Sequence, residues 1–212
     1  MTTMTSTTSL SDKSYYYSHE PYFWYFASTF PLINKACIDI QSSATQPSPL
    51  NPKLFVSPTI TIYTDGSSRG NPGPGGYGTI LMSGQHRKEL SQGYHHTTNN
   101  RMELMAVIAG LKALKKEKMD VTIYSDSQYV VKAWEEGWLK NWIKTNFKGG
   151  KKNPDLWWEF YELSKKQTIK FKWVKGHADN PFNNRCDELA TEAADGHKHK
   201  LLHDEGYEGT AS

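Results

Sequence analysis

The chain has 212 residues, 37% hydrophobic and 22% charged, a composition that fits a globular domain with a hydrophobic core. No segment approaches the ~20 consecutive apolar residues of a membrane-spanning helix. Cys37 and Cys186 are the only cysteines, which excludes a disulfide framework and a cysteine-type zinc site and favours the cytoplasm.

The net charge of +3 is distributed unevenly along the chain. Residues 1–50 contain two lysines against three acids, and residues 195–212 contain two lysines against four acids. The remaining segment, 51–194, therefore carries a net charge of +6. Such an excess of positive charge indicates, weakly, a polyanionic partner.

Residues 1–52 are predicted to be a poorly structured N-terminal extension. Residues 1–14 are rich in Ser and Thr without an apolar period, and residues 42–52 have the composition of a linker. Residues 22–33 are as apolar as the core of a signal peptide, but the basic region that precedes such a core is missing. An aromatic-rich docking segment is the alternative interpretation.

A folded domain is predicted over residues 53–195, where regular patterns begin. Alternating, β-branched segments predict five strands, at 59–65, 76–84, 87–96, 120–126 and 168–176. Helical spacing predicts helices at 100–116, 127–136, 154–166 and 183–195. This order implies an α/β fold in which helices pack on the faces of a mixed sheet. Trp157 and Trp173 are assigned to the core, and the acidic tail at 196–212 is predicted to be flexible.

Four carboxylates are candidates for chemistry because of where they lie. Asp65 and Asp126 each close a predicted strand, whereas Glu103 and Asp187 lie in the first turn of predicted helices. If the two strands are neighbours, all four acids meet at one edge of the sheet and repel one another unless cations neutralise them. Oxygen ligands without His or Cys favour Mg²⁺ or Mn²⁺, and such clusters serve in-line displacement at phosphorus.

Each of these acids also has a structural explanation when it is taken alone. Asp65 precedes a glycine and fits a turn, and Glu103 follows Asn100 at the spacing of a capping box. Asp126 with Ser127 fits a cap of the helix that follows, and Asp187 fits the preference of acids for a helix N-terminus. Only their combination favours a metal cluster.

Five strings carry a resemblance to a known family: TDGSSRGNPGPGGYG, TTNNRMELMA, DSQYV, DLWW and VKGHADNPFNNRCDELA. In this order and spacing they resemble bacterial-type ribonuclease H of type 1 over residues 57–195. The resemblance implies a five-stranded mixed sheet of order 3-2-1-4-5 flanked by helices. It also implies a monomeric endoribonuclease that hydrolyses the RNA strand of RNA–DNA hybrids, leaves 5′-phosphate and 3′-hydroxyl ends, and removes RNA primers and R-loops.

The same resemblance assigns roles to individual residues. It makes Asp65, Glu103, Asp126 and Asp187 ligands of two Mg²⁺ ions, with Mn²⁺ as a substitute, and it gives His177 a part in proton transfer or product release. The resemblance also implies that six polar residues contact the hybrid: Ser68, Asn71, Asn99, Asn100, Gln128 and Asn183. Ser68 stands where some relatives have cysteine.

Residues 132–152 resemble the basic handle with which this family holds the DNA strand. The handle contains six lysines against two glutamates, and Lys144, Trp138 and Trp142 are its expected contacts. For the two tryptophans, packing in the core is an equally good interpretation. Two other functions stay open: a hybrid-binding module without catalysis, and a nuclease of the same fold that cuts DNA.

Overall fold

The computed structural model describes residues 59–196 and 201–208. The elements in chain order are β1 (Ile60–Ser68), β2 (Gly73–Ser83), β3 (His86–Thr97), α1 (Asn99–Lys112), β4 (Asp120–Ser125), α2 (Gln128–Glu135), α3 (Trp138–Lys144), α4 (Pro154–Ser164), β5 (Thr168–Trp173), α5 (Pro181–Ala194) and α6 (Glu205–Glu208). The predictions for residues 1–52 lie outside the described residues. No helix among those described is long and apolar enough to cross a membrane.

The five strands form one mixed sheet in the order β3-β2-β1-β4-β5, which confirms the predicted order 3-2-1-4-5. Strands β1 and β2 pair antiparallel, as do β2 and β3, whereas β4 lies parallel to both β1 and β5. Thr64 pairs with Ser125 at the end of the parallel β1–β4 ladder. The residues that follow, Asp65 and Asp126, therefore emerge side by side.

The two faces of the sheet carry cores of different size. The larger core packs Ile62 and Ile123 of the sheet against helices α1, α2 and α4, and includes Val107 and Phe160. The smaller core lies under α5 and contains Ile80, Cys186 and Leu189. Burial on both faces explains why the first five residues of β1, 60–64, are apolar or β-branched.

Glycines in β2 and β3 allow α5 to lie against the sheet. A Cβ on Gly76 would lie 2.6 Å from the carbonyl oxygen of Ala190, and a Cβ on Gly78 or Gly93 would overlap the helix backbone. The glycine-rich stretch 63–76 is largely strand, since β1 runs to Ser68 and β2 starts at Gly73, and both strands are longer than predicted at this end. Within this stretch, Gly66 and Gly76 allow helices to pack closely, a reason that the sequence alone does not show.

The C-terminal segment 201–208 packs against the domain, so the prediction of a flexible tail is wrong for these residues. Leu202 exchanges two backbone hydrogen bonds with β3, to the Gly93 carbonyl oxygen and from the His95 N–H, both 2.9 Å long. Asp204 is 2% exposed and accepts hydrogen bonds from the buried Arg101 guanidinium at 2.7 and 2.8 Å. An acidic residue of the tail, Asp204, thus neutralises the buried Arg101 cation.

Of the two tryptophans assigned to the core, one is buried in the structure and the other is exposed. Trp157 is fully buried, as predicted, and its indole N–H donates to the Tyr129 hydroxyl at 2.7 Å. Trp173 is 51% exposed, so its assignment to the core is wrong. It is the last residue of the edge strand β5, and the aromatic rings of α2 and α4 contact Phe171 two residues earlier.

Candidate active site

Three of the predicted carboxylates form a compact cluster at the edge of the sheet. Asp65, Glu103 and Asp126 each offer an oxygen atom, and these atoms all lie within 4.8 Å of one another. Asp65 and Glu103 are each 6% exposed. Asp65 comes from β1, Asp126 follows β4 directly, and Glu103 comes from α1.

The approach of α1 to β1 depends on Gly66. A Cβ at this position would overlap the backbone nitrogen of Glu103, so only glycine lets the helix come this close to the strand. The Gly66 N–H also donates to Asp65 Oδ1 at 2.7 Å and fixes that carboxylate. One glycine therefore brings Glu103 to the cluster and orients Asp65.

None of the structural explanations for the four acids holds. Asp65 lies inside β1 and not in a turn. Helix α1 begins at Asn99, so Glu103 lies in its second turn, and α5 begins at Pro181, which puts Asp187 in the second turn as well. The predicted first-turn positions of these two acids are therefore wrong, because both helices start earlier. Asp126 caps nothing, since the residue at the N-cap of α2 is Ser127.

The cluster is electrostatically unfavourable without a cation. Burial raises the pKa of Asp65 to about 8, with further contributions from repulsion by Asp126 and Asp187, although the Gly66 N–H opposes the shift. Burial also raises the pKa of Glu103 well above its usual value, with Asp65 and Asp126 adding to the effect. Strong perturbation of neighbouring carboxylates in one cleft is typical of functional sites.

The cluster also contains unpaired oxygen atoms. Among the described residues, Glu103 Oε2 and Asp126 Oδ1 are buried and have no hydrogen-bond partner. Leaving a buried carboxylate oxygen unpaired is costly, and a hard divalent cation such as Mg²⁺ is the ligand that removes the cost. The residues therefore fit a metal site.

Asp187 and His177 lie beside the cluster and not within it. Asp187 is close enough to raise the pKa of Asp65, but the three-residue cluster does not include it. His177 Nδ1 lies 3.5 Å from Asp187 Oδ2, and the histidine side chain is 82% exposed. His177 has a positive φ of 50° in the loop between β5 and α5.

The predicted asparagines form one rim of the site. The Asn99 side chain donates to Glu103 Oε1 at 3.4 Å, and its backbone N–H donates to Asn71 Oδ1 at 3.3 Å. Asn71 and Asn100 line a cavity of about 520 Å³ together with Lys151 and Lys152. Amide groups next to the carboxylates and lysines behind them match a polyanionic ligand that carries hydroxyl groups.

The remaining polar predictions lie at other points of the same edge. Ser68 ends β1 opposite Gly75, and Gln128 is the exposed first residue of α2. Asn183 is 1% exposed and donates to Asp126 Oδ2 at 3.3 Å, so its contact in the structure is with a carboxylate of the cluster.

The family model for RNase H matches residues 57–195. The chain belongs to the RNase H family. Ribonuclease H of Desulforamulus reducens is 55% identical over 139 residues, which cover 64% of this chain and 87% of that relative.

Solved structures of RNase H show the same fold. LC9-RNase H1, described as a type 1 RNase H with the type 2 active-site motif, matches with a TM-score of 0.61 at 28% identity, over 73% of this chain and 82% of the other. LC11-RNase H1 in complex with an RNA/DNA hybrid matches with a TM-score of 0.50 at 26% identity, over 65% and 98% of the two chains.

The predicted handle of this RNase H is a short helix followed by a lysine-rich turn. Trp138 is 39% exposed at the start of α3, whereas Trp142 is half-buried, with its ring centroid 5.5 Å from that of the core residue Trp157. The structure therefore favours packing for Trp142 and leaves Trp138 accessible. Lys144 is exposed at the end of α3, as are the handle's five other lysines: Lys132, Lys140, Lys148, Lys151 and Lys152.

Two features that support the RNase H site were not predicted from the sequence. Arg101, inside the string TTNNRMELMA, is 2% exposed and pairs with Asp155 as well as Asp204, so it anchors the start of α1 between two acids. An arginine among apolar helix positions is a signal for a buried ion pair. Trp173 donates its indole N–H to the backbone oxygen of Asp126 at 3.1 Å, for which the sequence has no signal.

Proposed function

We propose that this protein is an endoribonuclease that hydrolyses the RNA strand of RNA–DNA hybrids and leaves 5′-phosphate and 3′-hydroxyl ends. The observation that carries the proposal is the buried cluster of Asp65, Glu103 and Asp126 with its unpaired oxygens, in a chain of the RNase H family. That LC11-RNase H1 was solved with an RNA/DNA hybrid supports the choice of substrate.

Two Mg²⁺ ions are the proposed cofactors, with Mn²⁺ as a substitute. Asp65, Glu103 and Asp126 would hold them, and Asp187, at the side of the cluster, would complete the ligand set. When bound, the ions supply a nucleophilic water and stabilise the negative charge that develops on the leaving oxygen. Neutralising the carboxylates also removes the cost of burying their charges and the repulsion between them, which together raise the pKa values of Asp65 and Glu103.

Proton movement falls to the groups at the cluster's open side. The His177 ring is exposed to solvent and lies next to Asp187, so it can carry a proton between the site and water. Its position on a loop with positive φ, beyond the rigid ends of β5 and α5, suits a group that also helps product leave.

Recognition of the hybrid is assigned to the polar rim and the handle. Asn99 contacts Glu103, and Asn71 contacts Asn99, whereas Asn100 and Gln128 are exposed to solvent. These amide groups can contact the 2′-hydroxyl, which distinguishes RNA from DNA. Ser68 completes the contacts with the hybrid, and the buried Asn183 contributes through its hydrogen bond to Asp126.

The exposed lysines of the handle, Lys144 among them, bind the DNA backbone electrostatically. Trp138 contacts the DNA strand, and Trp142 supports Trp138 from the side of the core. The protein acts as a cytoplasmic monomer that removes RNA primers and R-loops.

A single cleavage assay tests the proposal. Labelled RNA–DNA hybrid, single-stranded RNA and duplex DNA are incubated with the protein in Mg²⁺ or in EDTA. The expected result is cleavage of the hybrid's RNA strand alone, and only with the metal. Binding of the hybrid without cleavage would favour a non-catalytic module, and cleavage of duplex DNA would favour a DNA nuclease of the same fold; either result refutes the proposal.

A further inference from the structure

The chain segment that leaves β5 holds Asp126 from outside the cluster. The Trp173 indole N–H donates to the Asp126 backbone oxygen at 3.1 Å, and the Val174 N–H donates to the Ser125 oxygen at 3.1 Å. Two consecutive bonds therefore tie the end of β4 to this segment. The second bond continues the parallel ladder, whereas the first depends on the identity of one side chain.

Hydrophobic burial does not explain the place of Trp173. Its side chain is 51% exposed, beside a cavity of about 240 Å³ that Gln128 and Lys132 also line. A half-exposed indole gains little from packing, so its hydrogen bond to Asp126 is the feature that defines its position. The bond restrains the backbone from which the Asp126 carboxylate projects.

Gly176 touches the carboxylate itself. A Cβ added at Gly176 would lie 2.5 Å from Asp126 Oδ2, 3.4 Å from its Cγ and 3.6 Å from its Cβ. Its φ lies outside the positive range that disfavours other residues, so the backbone accepts alanine here and the restriction is one of space. Any side chain at this position must push the Asp126 carboxylate aside.

Asn183 contacts the same oxygen. Its side-chain N–H donates to Asp126 Oδ2 at 3.3 Å, and Oδ2 is also the atom that a Cβ on Gly176 would meet first. The other oxygen, Oδ1, is buried and has no hydrogen-bond partner. The Asp126 carboxylate is thus held by one oxygen while the other is left available to a cation.

We propose that Trp173 and Gly176 are positioning residues that hold the Asp126 carboxylate in its metal-binding orientation. The two residues bracket the start of the His177 loop, so the orientation of one metal ligand is coupled to the conformation of that loop. The inference rests on the proposed metal-dependent function, and it concerns the ligand orientation, not the ligand set.

Metal binding without substrate is the primary test. The apparent dissociation constant for Mg²⁺ is measured by calorimetry on the full chain and on Gly176→Ala and Trp173→Phe. Because changes to groups that orient metal ligands cost about 10–100-fold in affinity, we expect a loss of that size for Gly176→Ala and of about 3–10-fold for Trp173→Phe. Both variants should unfold at the wild-type temperature in EDTA, since the group displaced by alanine is the end of one side chain.

A double-mutant cycle shows whether the effect passes through Asp126. In an Asp126→Asn background, Gly176→Ala should cause no further loss of Mg²⁺ affinity, because the ligand that it displaces is already weakened. An additive loss would overturn the proposal, as would unchanged Mg²⁺ binding in both single variants.

Trp158→Phe is the matched control for Trp173→Phe. Trp158 is also exposed, at 37%, and packs on Phe147 and Tyr161, so its replacement should leave Mg²⁺ binding unchanged.

Kinetics on the hybrid separate orientation from substrate binding. Both variants should lower kcat, about 10–100-fold for Gly176→Ala, while KM for the hybrid stays within about twofold of wild type, and added Mg²⁺ should partly restore the rate. A rise in KM at constant kcat would assign these residues to substrate binding and refute a positioning role. If wild type binds Mg²⁺ but fails to cleave the hybrid, the proposed function fails, whereas the calorimetric comparison still decides this inference.

Discussion

Replacing Asp65 by asparagine is expected to make the metal-free protein more stable while abolishing its activity. In the cluster, the oxygens of Asp65, Glu103 and Asp126 lie within 4.8 Å of one another. At an effective dielectric constant of about 20, two unit charges at that distance repel by about 3 kcal/mol. The asparagine keeps an oxygen for the Gly66 N–H and adds an amide that can donate to a carboxylate oxygen that now has no partner.

The gain in stability depends on pH, and its sign follows from the raised pKa of Asp65. Since the pKa of Asp65 is about 8 in the folded protein, the carboxyl keeps its proton up to that pH, whereas in the unfolded chain it releases the proton near its ordinary pKa of 3.8. Below the pKa of the unfolded chain, Asp65 is protonated in both states and does not affect stability. As pH rises from there towards 8, only the unfolded chain ionises, so the wild-type protein loses stability progressively. Since one pKa unit corresponds to about 1.4 kcal/mol, we expect the variant to exceed wild type by about 5 kcal/mol at pH 8 in EDTA, and by less than about 1 kcal/mol near pH 4.

Urea unfolding followed by circular dichroism measures these differences, in EDTA and in excess Mg²⁺. Mg²⁺ should stabilise wild type and have little effect on the variant, because a ligand charge has been removed. Asp179→Asn is the matched control, since Asp179 is exposed in the His177 loop and its replacement should change stability by less than about 0.5 kcal/mol. A variant that is less stable than wild type at pH 8 in EDTA would refute the argument from repulsion.

Three further changes test other parts of the structure. Asp204→Asn should lower the free energy of unfolding by about 2–3 kcal/mol, because it removes a charge from a buried ion pair. Glu162→Gln, in an exposed ion pair, should lower it by less than about 1 kcal/mol, and equal losses in urea titrations would contradict the role of burial. Gly66→Ala should cost about 3 kcal/mol or more, since the new methyl group meets helix backbone, and an unchanged unfolding temperature would show that the helix can retreat freely. Replacing Lys140 and Lys144 together by glutamine should raise KM for the hybrid and reduce the salt dependence of binding by about one to two units of log–log slope at constant kcat, and a fall in kcat alone would be inconsistent with a backbone contact.

The parts of the fold that follow from local pattern and from family resemblance were predictable. Strand order, the four helices and the grouping of Asp65, Glu103 and Asp126 agree with the sequence predictions. Element ends were less accurate, because α1 and α5 begin before the first apolar residue of their periodic pattern. Because both helices start earlier, Glu103 and Asp187 lie in the second turn and not in the first, where alone they could cap the helix.

Features that depend on distant partners could not be predicted. The tail appeared mobile because it is polar and acidic, but the partner of Asp204 is an arginine 103 residues earlier in the chain. Trp173 continues the alternation of a buried strand face, and only the position of the neighbouring helices shows that this face is open at its end. The roles of Gly66 and Gly176 appear only when the backbone that each one touches is known.

The pairing of Leu202 with β3 has a consequence for association between molecules. Strand β3 is at the margin of the sheet, where unpaired N–H and C=O groups can recruit a strand from another chain. By bonding to Gly93 and His95, the chain's own C-terminal segment occupies part of that margin. The segment that neutralises a buried arginine thus also shields a surface from self-association, and shortening the protein before Leu202 would favour aggregation as well as unfolding.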